Sequence, residues 1–193
     1  MQLDEVTVVI VPGLRDHVPD HWQSLLQRRL PRSCMVEPLR RHKLSRSARV
    51  AALDETLTRI EGPVLLAAHS AGVMIAAHWA RRYERKIDGA LFATPADLEE
   101  PLPEGYPSLE EIADNGWLPI PRQRLPFPSV VAISRNDPLG RVARMHEYAH
   151  DWGSRVVDLG DVGHLNPDSG YGEWPCALDL LRSLLISPPA RSQ

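Results

Sequence analysis

Apolar residues in this chain follow two alternating patterns. Short unbroken runs, rich in β-branched residues, alternate with longer stretches in which apolar positions recur every three or four residues. The runs at 6–11 (Val6-Thr7-Val8-Val9-Ile10-Val11), 64–68, 90–93, 130–133 and 155–159 predict strands, with a further short one at 35–39. The run at 6–11 is β-branched and apolar on both faces, which suits a central strand covered on two sides. The periodic stretches predict helices at 20–30, with Trp22, Leu25, Leu26 and Leu30 as the stripe, and at 45–60, with Val50, Leu53, Leu57 and Ile60. Further helices are expected from 71 to about 83, at 141–152 and at 176–185, and 187–193 reads as a flexible tail. Strands alternating with amphipathic helices imply an α/β fold, a parallel sheet with helices on both faces. A length of 193 residues fits a single domain spanning 1–193.

The alternation breaks once. Residues 95–128 carry 8 of the 18 prolines and connect two strands. A connection that long inside a compact domain usually serves function. It reads either as a small lid over the strand ends, anchored by Leu109, Ile112 and Trp117, or as a proline-stiffened surface loop.

Composition narrows the function classes. A net charge of −3 offers no electrostatic case for nucleic acid or an anionic membrane surface. The basic run Arg40-Arg41-His42-Lys43 is short and reads as a solvated loop. No apolar run approaches the ~20 residues a bilayer span needs. The acidic N-terminus has no signal-peptide pattern, and Cys34 and Cys176 lack metal-like spacing. A cytoplasmic, reducing compartment is therefore expected.

The candidate chemistry lies where strands end. Ala68-His69-Ser70-Ala71-Gly72 follows an apolar run and opens a helical stretch, resembling the G-x-S-x-G elbow that presents a nucleophilic serine, with Ala68 in place of the first glycine. A serine hydroxyl needs a base to become nucleophilic, and the base needs an orienting carboxylate. Asp137 follows the strand at 130–133, in Ser134-Arg135-Asn136-Asp137-Pro138, and His164 follows the strand at 155–159, in Gly163-His164. The expected roles are nucleophile for Ser70, base for His164 and orienting carboxylate for Asp137. Asp97 is the main rival carboxylate, with Asp161 and Asp168 nearer His164 in sequence. The backbone N–H groups of Leu14, after Pro12-Gly13, and of Ala71 are the candidate oxyanion donors. His17, Trp22, His69 and Trp117 are candidates for the substrate pocket. The pairs His17/His21 and His146/His150 have i,i+4 spacing but no H-E-x-x-H, so no metal site is expected.

With these residues assigned, the chain resembles the small α/β-hydrolases similar to retinoblastoma-binding protein 9. The resemblance rests on Val11-Pro12-Gly13-Leu14, His21-Trp22-Gln23, the Ser70 elbow, Pro126-Phe127-Pro128-Ser129, the Asp137 segment and Gly163-His164, and runs over about residues 5–186. It implies a compact three-layer α/β/α core with a mostly or wholly parallel sheet of about six strands, order 2-1-3-4-5-6. It also implies a Ser70–Asp137–His164 serine hydrolase acting on small acyl esters, thioesters or amides without a cofactor. The retinoblastoma-binding motif Leu-x-Cys-x-Glu is absent around Cys34. A binding or regulatory protein that keeps the fold without turnover is the alternative, supported by Ala68 alone. Metal-dependent chemistry through the paired histidines is a third reading.

Overall fold

The computed structural model describes residues 1–186, so the flexible tail expected at 187–193 lies outside the described residues. Strands β1 (Thr7–Val11), β2 (Ser33–Met35), β3 (Val64–His69), β4 (Gly89–Ala93), β5 (Ser129–Ile133) and β6 (Arg155–Asp158) pair in parallel throughout, in the order β2-β1-β3-β4-β5-β6. This is the expected order. The helices are α1 (Trp22–Arg29), α2 (Arg46–Thr58), α3 (Ala71–Arg82), α4 (Leu109–Asp114), α5 (Val142–Trp152) and α6 (Cys176–Ile186).

The strand runs divide between two cores with a period of two. Val9, Val11, Leu66, Ala68, Phe92, Val131 and Ile133 face one layer, together with Leu53 and Leu57 of α2, Met74 of α3 and Tyr148 and Trp152 of α5. Val8, Ile10, Leu65, Ala67, Leu91, Val130 and Ala132 face the other, with Trp22 and Leu26 of α1 and Leu181 and Leu184 of α6. Every residue of β3, β4 and β5 is buried, which is why those runs show no polar alternation. Truncating one of these side chains, Leu66→Ala for example, costs about 2–5 kcal/mol.

Two expectations need correction. β2 is Ser33–Met35, not 35–39. Its ladder to β1 starts at Val8 N–H on Arg32 O (3.0 Å) and closes at Val36 N–H on Ile10 O (3.0 Å). Beyond that point β1 runs into Pro12 and the incoming strand into Pro38, and neither has an N–H to donate. The connection 95–128 also contains a helix, α4, that the apolar spacing did not reveal. Ser108 caps it, accepting from Glu111 N–H at 3.1 Å, while the Glu111 carboxylate accepts from Ser108 N–H at 2.8 Å. Ile112 and Trp117 are buried and Leu109 is half-buried.

Among the described residues no helix is long and apolar enough to cross a membrane. In a parallel sheet all strand C-terminal ends share one edge, and the segments carrying Leu14, Ser70, Asp137 and His164 all leave from that edge.

Candidate active site

Ser70 sits between the end of β3 and the first residue of α3 with φ 57° and ψ −128°. Positive φ is strained for a residue bearing a Cβ. Its side chain makes no cap hydrogen bond to α3, so helix capping does not account for this serine. The turn is held by Ser70 N–H on Ala93 O (3.1 Å) and Val73 N–H on Ser70 O (3.1 Å). Gly72 is needed because a Cβ there would meet Val11 O at 2.2 Å, where α3 starts against the end of β1. Ala68 lies fully buried in the core beside Val11 and Phe92, so its methyl is accommodated in the strand.

The loop after β1 lies over Ser70. A Cβ on Gly13 would be 3.1 Å from Ser70 Cβ and 3.4 Å from Ser70 Oγ. Buried Arg49 of α2 holds this loop from behind. Its guanidinium donates to Leu14 O (3.2 Å), Gly13 O (3.4 Å), Lys43 O and the Asp16 carboxylate (2.9 Å). A trans peptide points its C=O and N–H in opposite directions. With Gly13 C=O turned to Arg49, the Leu14 N–H points to the other side of the loop. Leu14 and Ala71 both line the cavity that Ser70 borders.

His164 follows β6 in a loop pinned at several points. Its N–H donates to Ser169 Oγ (3.0 Å), and its carbonyl accepts from His69 Nε2 (2.8 Å) and Thr94 Oγ1 (3.4 Å). Gly163 N–H reaches Asn136 Oδ1 at 2.6 Å. His164 Nδ1 lies 2.9 Å from both carboxylate oxygens of Asp137, whose side chain is wholly buried and also accepts from Leu139 N–H at 2.8 Å. The rival carboxylates are engaged elsewhere or exposed. Asp97 pairs with Arg144 (3.2 Å), Asp168 pairs with Arg15 (2.9 Å), and Asp161 is exposed.

Ser70 and His164 border one cavity of about 110 Å³. Its apolar wall includes Leu14 and Leu139 and, from the 95–128 connection, Leu98, Leu102 and Tyr106. The first half of that connection thus borders the cavity. The second half packs away from it: Trp117 is buried, donates Nε1–H to Leu44 O (2.7 Å), and accepts at its carbonyl from His78 Nε2 (2.9 Å).

The four pocket candidates separate. His69 lines the cavity. Trp117 does not, being committed to the core between α2 and α3. Trp22 is buried behind His69, edge-on to it at 6.1 Å between ring centroids. His17 instead meets Ser24 Oγ at 3.2 Å. Further polar lining comes from Arg15, Asp16, Asn166 and Asp168, and from His21 and Gln23 at the start of α1, where the sequence predicts a helix without a site role. The available signal was the three polar positions His21, Gln23 and Ser24 on either side of Trp22 at a helix start, where α1 buries Gln23 and Ser24 as well as Trp22 and Leu26. Burial, with His164 nearby, pushes the His21 imidazole down to about 4. Burial foremost, then His164 and His21, also holds His69 well below the ordinary histidine value. Both are neutral at pH 7. Among the described residues no three His, Cys, Asp or Glu side chains are grouped to hold a metal ion.

Comparison with known proteins agrees with this architecture. The sequence profile of the serine hydrolase family matches residues 8–183. A YdeN-like hydrolase, so described, from Pectobacterium atrosepticum is 31% identical with a TM-score of 0.79, over 95% of this chain and 94% of the other. The ydeN product of B. subtilis is 16% identical at TM-score 0.69, over 94% and 99%. The type II thioesterase BorB of the borrelidin cluster is 14% identical at TM-score 0.62, over 93% and 92%. The last two likenesses concern the fold alone. No protein of curated function matches the sequence.

Proposed function

The chain belongs to the serine hydrolase family, and from that premise we propose that it is a single-domain carboxylesterase-like enzyme that cleaves small acyl esters through a Ser70 acyl-enzyme. Ser70 Oγ attacks the acyl carbonyl carbon while His164 takes its proton. The tetrahedral oxyanion is held by the N–H groups of Leu14 and Ala71, each such donor contributing about 3 kcal/mol. The intermediate collapses as His164 passes the proton to the leaving oxygen, and water then repeats the sequence on the acyl-enzyme. Asp137 fixes the imidazole tautomer and stabilises the imidazolium.

The observation that carries the reading is the pairing of a strained, non-capping Ser70 with a His164 that binds buried Asp137 and borders the same cavity. Backbone strain of this kind persists where the surroundings impose it, and it costs about 1–3 kcal/mol. It weighs against a binding protein that merely retains the fold. Leu14, Leu98, Leu102 and Leu139 give an acyl chain an apolar wall in the cavity. The fold likeness to a thioesterase keeps thioesters within the proposed class. A reducing, cytoplasmic setting, and kinship with the small hydrolases resembling retinoblastoma-binding protein 9, belong to the same reading. Both cysteines are free thiols.

A fluorophosphonate probe should label the wild-type protein, and Ser70→Ala should abolish labelling while leaving the circular dichroism spectrum unchanged. Folded wild-type protein that resists the probe and cleaves no p-nitrophenyl ester would refute the proposal.

A further inference from the structure

We propose that His21, Gln23 and His69 form a polar subsite that binds an uncharged hydroxyl group carried by the substrate. The proposal rests on the serine hydrolase reading and specifies the substrate class of that site.

The hydrogen-bonding role of each side chain is set by a partner that has only one role. Gln23 Nε2 donates to two carbonyls, Val11 O (3.1 Å) and Ala67 O (2.9 Å). Carbonyls only accept, so both amide hydrogens are used and Oε1 must be the other end of the group. His21 Nδ1 accepts from Gln23 N–H at 3.2 Å, which puts the proton of the neutral ring on Nε2. His69 Nε2 meets His164 O at 2.8 Å, so that nitrogen carries the proton and Nδ1 is left as a lone pair. This leaves one donor, His21 Nε2–H, and two acceptors, His69 Nδ1 and Gln23 Oε1. None of the three has a partner among the described residues.

These atoms belong to side chains that are more than nine-tenths buried, at 7% exposure for His21, 3% for Gln23 and 5% for His69. None of the three atoms is sealed without a partner, and the open space these residues share is the cavity that Ser70 borders. The His21 and His69 rings are 4.5 Å apart, centroid to centroid. A ligand that fills this space displaces the water that can reach these atoms, so one that supplies their partners is favoured over one that leaves them unpaired. The complement of one donor and two acceptors is a neutral group that both donates and accepts. Both histidines are uncharged at pH 7 and add no positive charge, and Arg15, a cation that lines the same cavity, is paired with Asp168 at 2.9 Å. An alcohol hydroxyl meets these requirements on either the acyl or the leaving-group side.

The test compares matched esters in which hydroxyl replaces methyl. For the acyl side these are the p-nitrophenyl esters of β-hydroxybutyric and isovaleric acid. For the leaving-group side they are hydroxyethyl butyrate and propyl butyrate. Wild-type protein should prefer the hydroxyl member of one pair by about 10–100-fold in kcat/KM, and the arm that responds identifies the side. In His21→Ser, serine can still cap α1 but cannot reach the cavity, and the preference should fall below about threefold whatever the absolute rates. Equal cleavage of both members in both arms overturns the subsite and leaves the hydrolase reading standing, as does an undiminished preference in His21→Ser. Wild-type protein that cleaves none of the four esters and resists the fluorophosphonate probe removes the hydrolase reading and the subsite together.

Discussion

Replacing Gly72 with alanine sets helix propensity against steric overlap, and the structure indicates which prevails. Gly72 is the second residue of α3, and Gly→Ala in a helix ordinarily gains about 1 kcal/mol. Here the added methyl would lie 2.2 Å from Val11 O, 2.7 Å from Pro12 O and 3.0 Å from Pro12 C, all backbone atoms. Ordinary contact begins at 3.4 Å, so β1 and α3 must separate by roughly 1 Å where both are held, β1 by its ladder to β3 and α3 by the Ser70–Ala93 hydrogen bond. Overpacking of this severity costs about 3 kcal/mol or more, which exceeds the propensity gain and leaves about 2 kcal/mol of net destabilisation. For a chain of this size Tm should fall by about 4–8 °C. The shift also displaces Pro12-Gly13-Leu14 over Ser70, and a misplacement of about 1 Å costs on the order of 100-fold in rate. Thermal unfolding by circular dichroism, together with the fluorophosphonate labelling rate at a temperature where both proteins are fully folded, reads both effects. A Gly72→Ala protein as stable as wild type and labelled within threefold of its rate would refute the argument. Ala68→Gly is the converse case: if β3 accommodates the Ala68 methyl, this change destabilises by about 1 kcal/mol, whereas a rise in Tm would show that alanine strains the elbow.

Three further predictions follow from the site. Arg49→Ala removes the guanidinium that holds the carbonyls of Gly13 and Leu14; kcat should fall about 100-fold with a smaller change in KM, and added guanidinium should restore part of it, whereas an unchanged kcat would detach Arg49 from the proposed oxyanion loop. His164→Ala should reduce ester turnover by roughly four orders of magnitude, and a loss below tenfold would mean that another group is the base. Because His21 lies at about 4 in the folded protein against 6.5 when unfolded, the unfolded chain takes up its proton first. The stability is therefore complete above pH 6.5 and lost as pH falls toward 4. His21 alone should account for about 2 kcal/mol by pH 5, so the pH dependence of Tm should be visibly shallower in His21→Ser, and parallel curves would contradict it.

The sheet was legible in the sequence because burial on both faces leaves unbroken apolar runs, as in Val64–His69, and the helices between such runs dictate parallel pairing. That Ser70, Asp137 and His164 leave from one edge follows from the same logic, since each comes just after a strand and parallel strands end together. What could not be read was whatever depends on which side chain turns toward which space. Tryptophan composition says nothing of whether a ring lines a cavity, and Trp117 and Trp22 went to the core while His21 and Gln23, on the same turn of α1 as Trp22, reached the site. The extent of β2 depended on where its neighbour ran out of N–H donors. Packing brought Asp137 rather than Asp97 to His164, and Asp97 is engaged instead by Arg144 from α5. Sequence periodicity records the burial of whole elements and the order in which they follow one another. The pairing of individual polar groups across elements depends on distances between residues remote in the chain, and those exist only once the layers have packed.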